Sequence, residues 1–425
     1  MTTRYPAKAI SFPYERATYS PATVAYAAFL AFIVVVYSSI AQLVPALAPL
    51  APGKTVIALA AIALASSCVL SRRTFTVGLG SGGLALYLFF AMVMLSPLFS
   101  RWPEASLETV SESVKYLAAF VVAANVLDTR KRIRHAVAVL VLASLFPTLG
   151  AVLRYLSGEN LVEGTRAVWL GVFSNPNFLA YHLVVAIPLA LALRDAAKPG
   201  ENRVIVRLFW LGIVGLLCAG VLLTGSRGGA MGAGAVLLLW LARSLVRGRI
   251  AIGAAAAVVI ALLMTPSSPF SREATRTTLA GEIDESSQGR VDAWRTAERM
   301  VYHNPIVGVG AGAFVDSFDE YAPGDAGRAR ATHNSFVMVA AELGIPALLV
   351  FLAAIGTALL AMGRVARRGR RRLGSLAPIA RGVQVAIFGF IVCSLTGGYA
   401  FTWPLYFVLG IAAAIHLRAQ ALARA

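Results

Sequence analysis

The chain has 425 residues, 58% of them hydrophobic and only 14% charged, with a formal net charge of +18. A composition this apolar excludes an ordinary soluble domain, which needs far more charge to stay in water. Repeated apolar runs of roughly 17–25 residues point to an all-α polytopic membrane protein, since helices satisfy their own backbone in lipid. The first twenty residues are mixed, with no short apolar region followed by a small-residue cleavage site, so an uncleaved start is expected. Twelve spans are then predicted, at about 22–44, 54–71, 77–99, 106–127, 134–154, 177–194, 206–224, 228–246, 249–264, 334–362, 379–397 and 402–418. Cys68, Cys218 and Cys393 all fall inside apolar runs without metal-ligand spacing and read as buried, inert thiols.

The basic residues decide the orientation. Of the 38 Lys and Arg, 25 lie in alternate connections, beginning with Arg4, Lys8 and Arg16 and ending with the 364–381 segment and Arg418 and Arg424. The positive-inside rule puts both termini and the 364–381 segment in the cytoplasm. The net charge thus reports topology and contact with anionic membrane lipids, not nucleic acid. Three regions follow: helices 1–9 over 1–264, an extracytoplasmic, periplasmic loop domain over 265–333, and helices 10–12 over 334–425. The expected location is a bacterial inner membrane.

The stretch from Thr265 to Asn334 is the largest polar segment. It holds seven arginines, ten acids and the run Gly308-Val309-Gly310-Ala311-Gly312. Residues Gly289 to His303 read as a helix with Arg290, Trp294 and Ala297 on one face and Arg295 and Arg299 on another, stopped by Asn304-Pro305. The glycines that follow permit tight turns and close backbone approach.

Four residues stand out chemically. His333 lies at the outer mouth of the tenth span. Imidazole titrates near neutrality and suits a general base, although on position alone an interfacial histidine without catalytic duty is the favoured reading. Arg227 occupies the tight turn Thr224-Gly225-Ser226-Arg227-Gly228-Gly229 between two apolar runs, where an arginine is costly unless it meets an anion, a wet cavity or the head groups. A helix N-terminus flanked by glycine and arginine suits a phosphate. Arg290, near the start of the loop helix, can meet an anion or form a surface pair with Asp292. Glu342 lies inside the tenth span and needs a partner, either Arg227 or an internal hydrogen-bond network. The outer aromatics Trp169, Trp294, Tyr321 and Trp403 can stack on sugars or form an interfacial belt. The first outer loop, Val44 to Lys54, has no acid, which disfavours a metal-dependent oligosaccharyltransferase. P-loop, His-Glu-x-x-His and Gly-x-Ser-x-Gly motifs are also absent from the sequence.

Taken in order, Asn175-Pro176-Asn177-Phe178-Leu179-Ala180, Thr224 through Gly229, Gly289-Arg290 with Trp294, Asn304-Pro305 with Gly308 through Phe314, and His333-Asn334-Ser335 with Glu342-Leu343-Gly344 resemble the O-antigen ligase and O-antigen polymerase family. The motifs cover about 170–360, and the first five spans carry none. The resemblance implies a metal-free, cofactor-free membrane glycosyltransferase of the C-type superfamily. Its donor would be an undecaprenyl-diphosphate-linked glycan, displaced with inversion by an acceptor hydroxyl on lipid A–core. The family pattern implies His333 as base, Arg227 and Arg290 on the diphosphate, and Arg272 or Arg276 as a further loop arginine, with Glu342 and Trp294 in support. The alternative is a polymerase whose acceptor is a second lipid-linked glycan. Protein O-glycosylation shares the same chemistry. A lipid-linked-glycan transporter is disfavoured because polar density sits in one outer loop rather than at the midplane of both halves.

Overall fold

The structure is a computed structural model describing residues 21–70, 75–76, 80, 82–197, 202–242, 285–324 and 328–424. The expected ninth span and the candidates Arg272 and Arg276 lie outside the described residues. In chain order the longer helices are α1 (Pro21–Ser38), α2 (Pro52–Leu70), α3 (Gly83–Leu95), α4 (Pro103–Val126), α5 (Arg130–Ala143), α6 (Leu145–Ser157) and α7 (Pro176–Asp195). They continue with α8 (Arg203–Leu223), α9 (Arg227–Ala242), α10 (Glu285–His303), α11 (Ser335–Arg367), α12 (Leu376–Ser394) and α13 (Trp403–Arg424). No strand occurs among the described residues, only an isolated bridge between Val162 and Arg166.

Eleven of the twelve predicted spans fall on these helices. Seven stretches among the described residues are long and apolar enough to cross a membrane, which identifies a multi-pass membrane protein. The fifth predicted span is α5 and α6 together, counted as one 28-residue stretch, Arg130–Ser157. It is interrupted at Ser144, whose hydroxyl donates back to the Leu140 carbonyl at 2.9 Å. Helix α4 is the least apolar of the predicted spans, with Glu104, Glu108 and Glu112 in its first half and a Lys115–Glu112 ion pair.

Helix α7 is the centre of the bundle. The apolar window of α7 is 89% buried, against 33% for α8. Its sequence is apolar on every side, as a helix surrounded by others requires. It packs on α5, α8, α9 and α12. Lipid offers no hydrophobic drive between helices, so close contact rests on small residues. A Cβ on Gly382 of α12 would lie 2.5 Å from the Cβ of Ala192 on α7. One on Gly232 of α9 would lie 2.5 Å from Cys393 Sγ, and that thiol is buried in the same seam.

Helix α10 begins four residues earlier than the sequence suggests. Ala293, Ala297 and Met300, at i, i+4 and i+7, pack against Val309, Ala313, Phe314 and Phe318, and against Ala341 of α11. This second apolar cluster seats α10 and the glycine-rich segment on the first turns of α11. Arg295 and Arg299 point outward, as their spacing predicts.

Candidate active site

The turn from Thr224 to Gly229 is held from inside. The Thr224 hydroxyl donates to Val221 O at 2.6 Å and accepts from Ser226 N at 3.2 Å. Ser226 Oγ accepts from Gly229 N at 3.1 Å, so serine satisfies an orphan donor of α9. Arg227 is then the first residue of α9, half-buried. A second arginine, buried Arg166, clamps the turn: Nε donates to Thr224 O at 2.9 Å and Nη2 to Asn177 Oδ1 at 2.8 Å. Ala167 N adds a bond to Leu223 O at 2.9 Å. The loop before α7 therefore holds the turn that carries Arg227. Gly228 faces α7 so closely that a Cβ would sit 2.5 Å from Tyr181 Oη and collide with the Thr396 hydroxyl.

The start of α11 is shaped by a break in the helix. Gly344 has φ 82° and ψ 173°, a conformation essentially reserved for glycine. Pro346 has no N–H, so the Glu342 carbonyl loses its normal helical donor. The Gly-rich run supplies replacements. Val309 N donates to Ala341 O at 3.0 Å, Gly310 N to Glu342 O at 2.9 Å, and Ile345 N turns to Pro305 O at 2.8 Å. A Cβ on Gly308 would collide with the backbone of Glu342 and Leu343. Glu342, almost fully buried, accepts from Gly312 N at 2.8 Å and also from the Phe314 backbone. Of the two partners considered for Glu342, the internal network is the one formed. The loop is tied on its other side by Ser96 Oγ, which accepts from Ala311 N at 2.8 Å, and by Ser100 Oγ, which donates to Val309 O at 2.9 Å. The glycines thus serve backbone approach, as expected, and these donors point into the protein.

His333 immediately precedes the cap of α11. Asn334 Oδ1 accepts from Phe336 N at 2.9 Å and Val337 N at 3.2 Å. Thr332 is fixed by Trp294 Nε1, which donates to its carbonyl at 2.8 Å. Between these two anchors His333 is left-handed, with φ 48°, at a cost on the order of 1–3 kcal/mol for a residue with a side chain. Its pKa is lowered from the usual imidazole value, first by burial and then by Arg290 and Arg330. The ring is accordingly neutral and able to accept a proton at neutral pH.

Arg290 acts electrostatically on His333, Tyr181 and Tyr399, so α7, α10, the start of α11 and the α12–α13 connection meet here. Its buried Nε has no hydrogen-bond partner among the described residues. The Tyr181 and Tyr399 rings meet edge to face, 4.2 Å between centroids, and Tyr181 Oη lies 3.0 Å from Thr396 Oγ1. Ser335 straps this corner to α11 by donating to Gly397 O at 2.7 Å and accepting from Tyr399 N at 2.8 Å. Burial and the neighbouring Tyr181 push the Tyr399 hydroxyl pKa far up, against the pull of Arg290, so it stays a hydrogen-bond donor. Gly228 reaches the same Tyr181–Thr396 edge, and that contact puts the Arg227 turn at this corner.

The sequence singled out Arg227, Arg290, His333 and Glu342. Arg290 acts on His333 and on the Tyr181–Tyr399 corner, the turn that carries Arg227 reaches that corner through Gly228, and Glu342 supports the glycine-rich loop. Trp294 holds the Thr332 backbone through Nε1 while its ring stays exposed. Trp169 lies under the Arg154 guanidinium at 4.9 Å, Tyr321 accepts from Asn304 Nδ2 at 3.1 Å, and Trp403 packs against His182, so these aromatics are engaged within the fold. Sequence reasoning missed Arg166, Tyr181, Arg330 and Tyr399. Tyr181 directly follows the Asn175–Ala180 motif, and Gly397-Gly398-Tyr399 repeats the pairing of glycines with a polar side chain that marked the Arg227 turn.

Residues 211–352 match the Wzy_C family model, described as O-antigen ligase. The interval holds Arg227, Arg290, His333 and Glu342, and it bears out the resemblance to the O-antigen ligase and polymerase family. It excludes Arg166, Tyr181 and Tyr399. No curated protein matches the chain.

Proposed function

We propose, with the O-antigen ligase family as premise, that the chain is an inverting, metal-independent glycosyltransferase. It moves a glycan from undecaprenyl diphosphate to a hydroxyl of lipid A–core on the periplasmic face. The observation that carries this reading is a left-handed, half-buried His333 within the electrostatic reach of Arg290 from a different element, near the corner reached by the Arg227 turn.

The chemistry balances without a metal. His333 takes the acceptor proton as the acceptor oxygen bonds to the anomeric carbon. The bond from that carbon to the diphosphate oxygen breaks, and the diphosphate leaves with the electron pair. Arg227 and Arg290 offer planar, bidentate donors to the growing negative charge. The same developing anion favours the imidazolium formed beside it, which offsets the lowered basicity of His333. The proton then passes to water. Arg272 and Arg276 remain candidates for a further donor contact within this proposal.

The test is transfer by the purified protein from an undecaprenyl-diphosphate glycan, offered lipid A–core and a second lipid-linked unit in parallel. The expected product is glycosylated lipid A–core, formed in EDTA and lost in His333→Ala. Elongation of the lipid-linked unit alone would make the protein a polymerase. Undiminished transfer by folded His333→Ala would remove the base assignment.

A further inference from the structure

At the end of the bundle away from His333 lies a cavity of about 390 Å³, lined among others by Arg194, Asp195, Arg207, Ala366, Pro378 and Arg381. Three helices connect the two ends. Helix α7 carries Tyr181 near its start and Arg194 near its finish, α11 runs from Ser335 to the neighbourhood of Ala366, and α12 runs from Pro378 and Arg381 towards Thr396. The cavity therefore shares no side chain with the candidate active site.

We propose that this cavity binds the phosphate head group of an anionic phospholipid. Three guanidiniums and one carboxylate line it, leaving an excess of positive charge, and their placement is built in. Arg381 Nη2 donates to Trp240 O at 2.7 Å while its guanidinium lies 4.6 Å from the centroid of the Trp240 ring. Arg194 Nε donates to Asp195 Oδ1 at 2.8 Å, which orients the rest of its fork. Arg207 stands on α8 with Val204 three residues before it and Leu211 four after, on the same face by helical spacing. Val204, Ile205 and Leu208 are each more than 60% exposed, an apolar strip beside the charge. A soluble anion would use the arginines and leave that strip uncovered. A phospholipid uses both, with phosphate oxygens on the forks and acyl chains along α8. Basic pockets between membrane helices on the cytoplasmic side take such head groups, and the positive-inside reading puts this end there.

The experiment uses the full chain purified in neutral detergent and stripped of lipid, with binding read by native mass spectrometry and by thermal shift. Cardiolipin is the anionic lipid, phosphatidylcholine the neutral one and inorganic pyrophosphate the soluble phosphate. Cardiolipin is expected to bind and to raise the melting temperature, with little effect of the other two. The double variant Arg194→Gln, Arg207→Gln is expected to weaken cardiolipin binding about thirtyfold, from roughly five- to sixfold per arginine near an anionic head group. Lys131→Gln with Arg134→Gln, a charge loss of equal size at residues that do not line the cavity, is expected to leave it within about twofold. If the double variant does not fold, exposed Arg207→Gln alone is expected to show the single five- to sixfold loss. An equal loss in the control pair would reduce the effect to diffuse charge. Pyrophosphate binding as tight as cardiolipin would assign the cavity to a soluble anion. Either result overturns the proposal.

Discussion

Arg166 offers the sharpest test of how the candidate site is held, because it contributes geometry without being proposed to touch substrate. In Arg166→Ala, Thr224 O loses its 2.9 Å donor and Asn177 Oδ1 its 2.8 Å donor. Thr224 is fully buried, so water cannot easily replace the first bond, and its loss costs about 1.5–3 kcal/mol. Asn177 is half-buried and partly rescued by solvent, adding on the order of 0.5–1 kcal/mol. The turn thus loses about 2–4 kcal/mol of its preference for one position. At 1.36 kcal/mol per decade, that corresponds to a drop in transfer of roughly 30-fold to 1,000-fold if the Arg227 placement limits the rate. Arg166→Lys keeps the charge but cannot span both acceptors, and a loss of about tenfold is expected. The assay is steady-state transfer from the lipid-linked donor by purified protein, with acceptor saturating, beside thermal unfolding of each variant. A structural role alone lowers stability and the active fraction, leaving the donor KM unchanged. Displacement of Arg227 instead changes kcat/KM for the donor in the fully folded fraction. Wild-type donor kinetics in a folded Arg166→Ala would refute the clamp.

Three other outcomes follow from the same geometry. His333 must be neutral to act as base, and its pKa is lowered, so activity is expected to fall only as pH drops below the ordinary imidazole pKa of about 6.5. A folded His333→Gln retaining that acid limb would assign it elsewhere. Arg227→Lys is expected to lose about 10- to 100-fold in donor kcat/KM with full insensitivity to EDTA, since an ammonium offers no bidentate fork; an absolute metal requirement in the parent protein would sink the diphosphate clamp. Gly344→Ala places a Cβ against the Pro305 and Ile306 backbone in a conformation reserved for glycine, so a loss of more than about 2 kcal/mol in unfolding is expected. An unchanged melting temperature would show that the break in α11 is not needed.

Much of the bundle was legible in the sequence because lipid allows the backbone few choices. An apolar run of the right length becomes a helix, and eleven predicted spans did so. Arg227 was legible for the same reason, since a charge in a two-sided apolar context has to be explained. Tyr181 and Tyr399 were not, because an aromatic beside an apolar run reads alike whether it faces lipid, core or site. Glu342 shows a different limit. Its position marked it, but its partner depends on a helix break at Gly344 and a loop folded back from thirty residues earlier. Neither periodicity nor composition encodes that contact. Arg166 belongs to the same class, as its acceptors lie 11 and 58 residues away.

The break in α11 also explains how a site for an anion can be assembled at the edge of an apolar bundle. An α11 without Gly344 and Pro346 would satisfy the Ala341 and Glu342 carbonyls internally and leave Val309 N and Gly310 N without those acceptors. By opening at Gly344, the helix exchanges local bonds for bonds to the loop, and the small apolar cluster around Phe314 docks α10 above its first turns. Arg290 is carried to His333 by that docking. Helix N-termini at α9 and α11 face the same corner, each bringing a partial positive charge of roughly half an electron. The site proposed for the diphosphate is therefore positive through backbone as well as side chains. It depends on a glycine and a proline that touch no part of the substrate, which is why disrupting Gly344 is expected to affect stability and site geometry together.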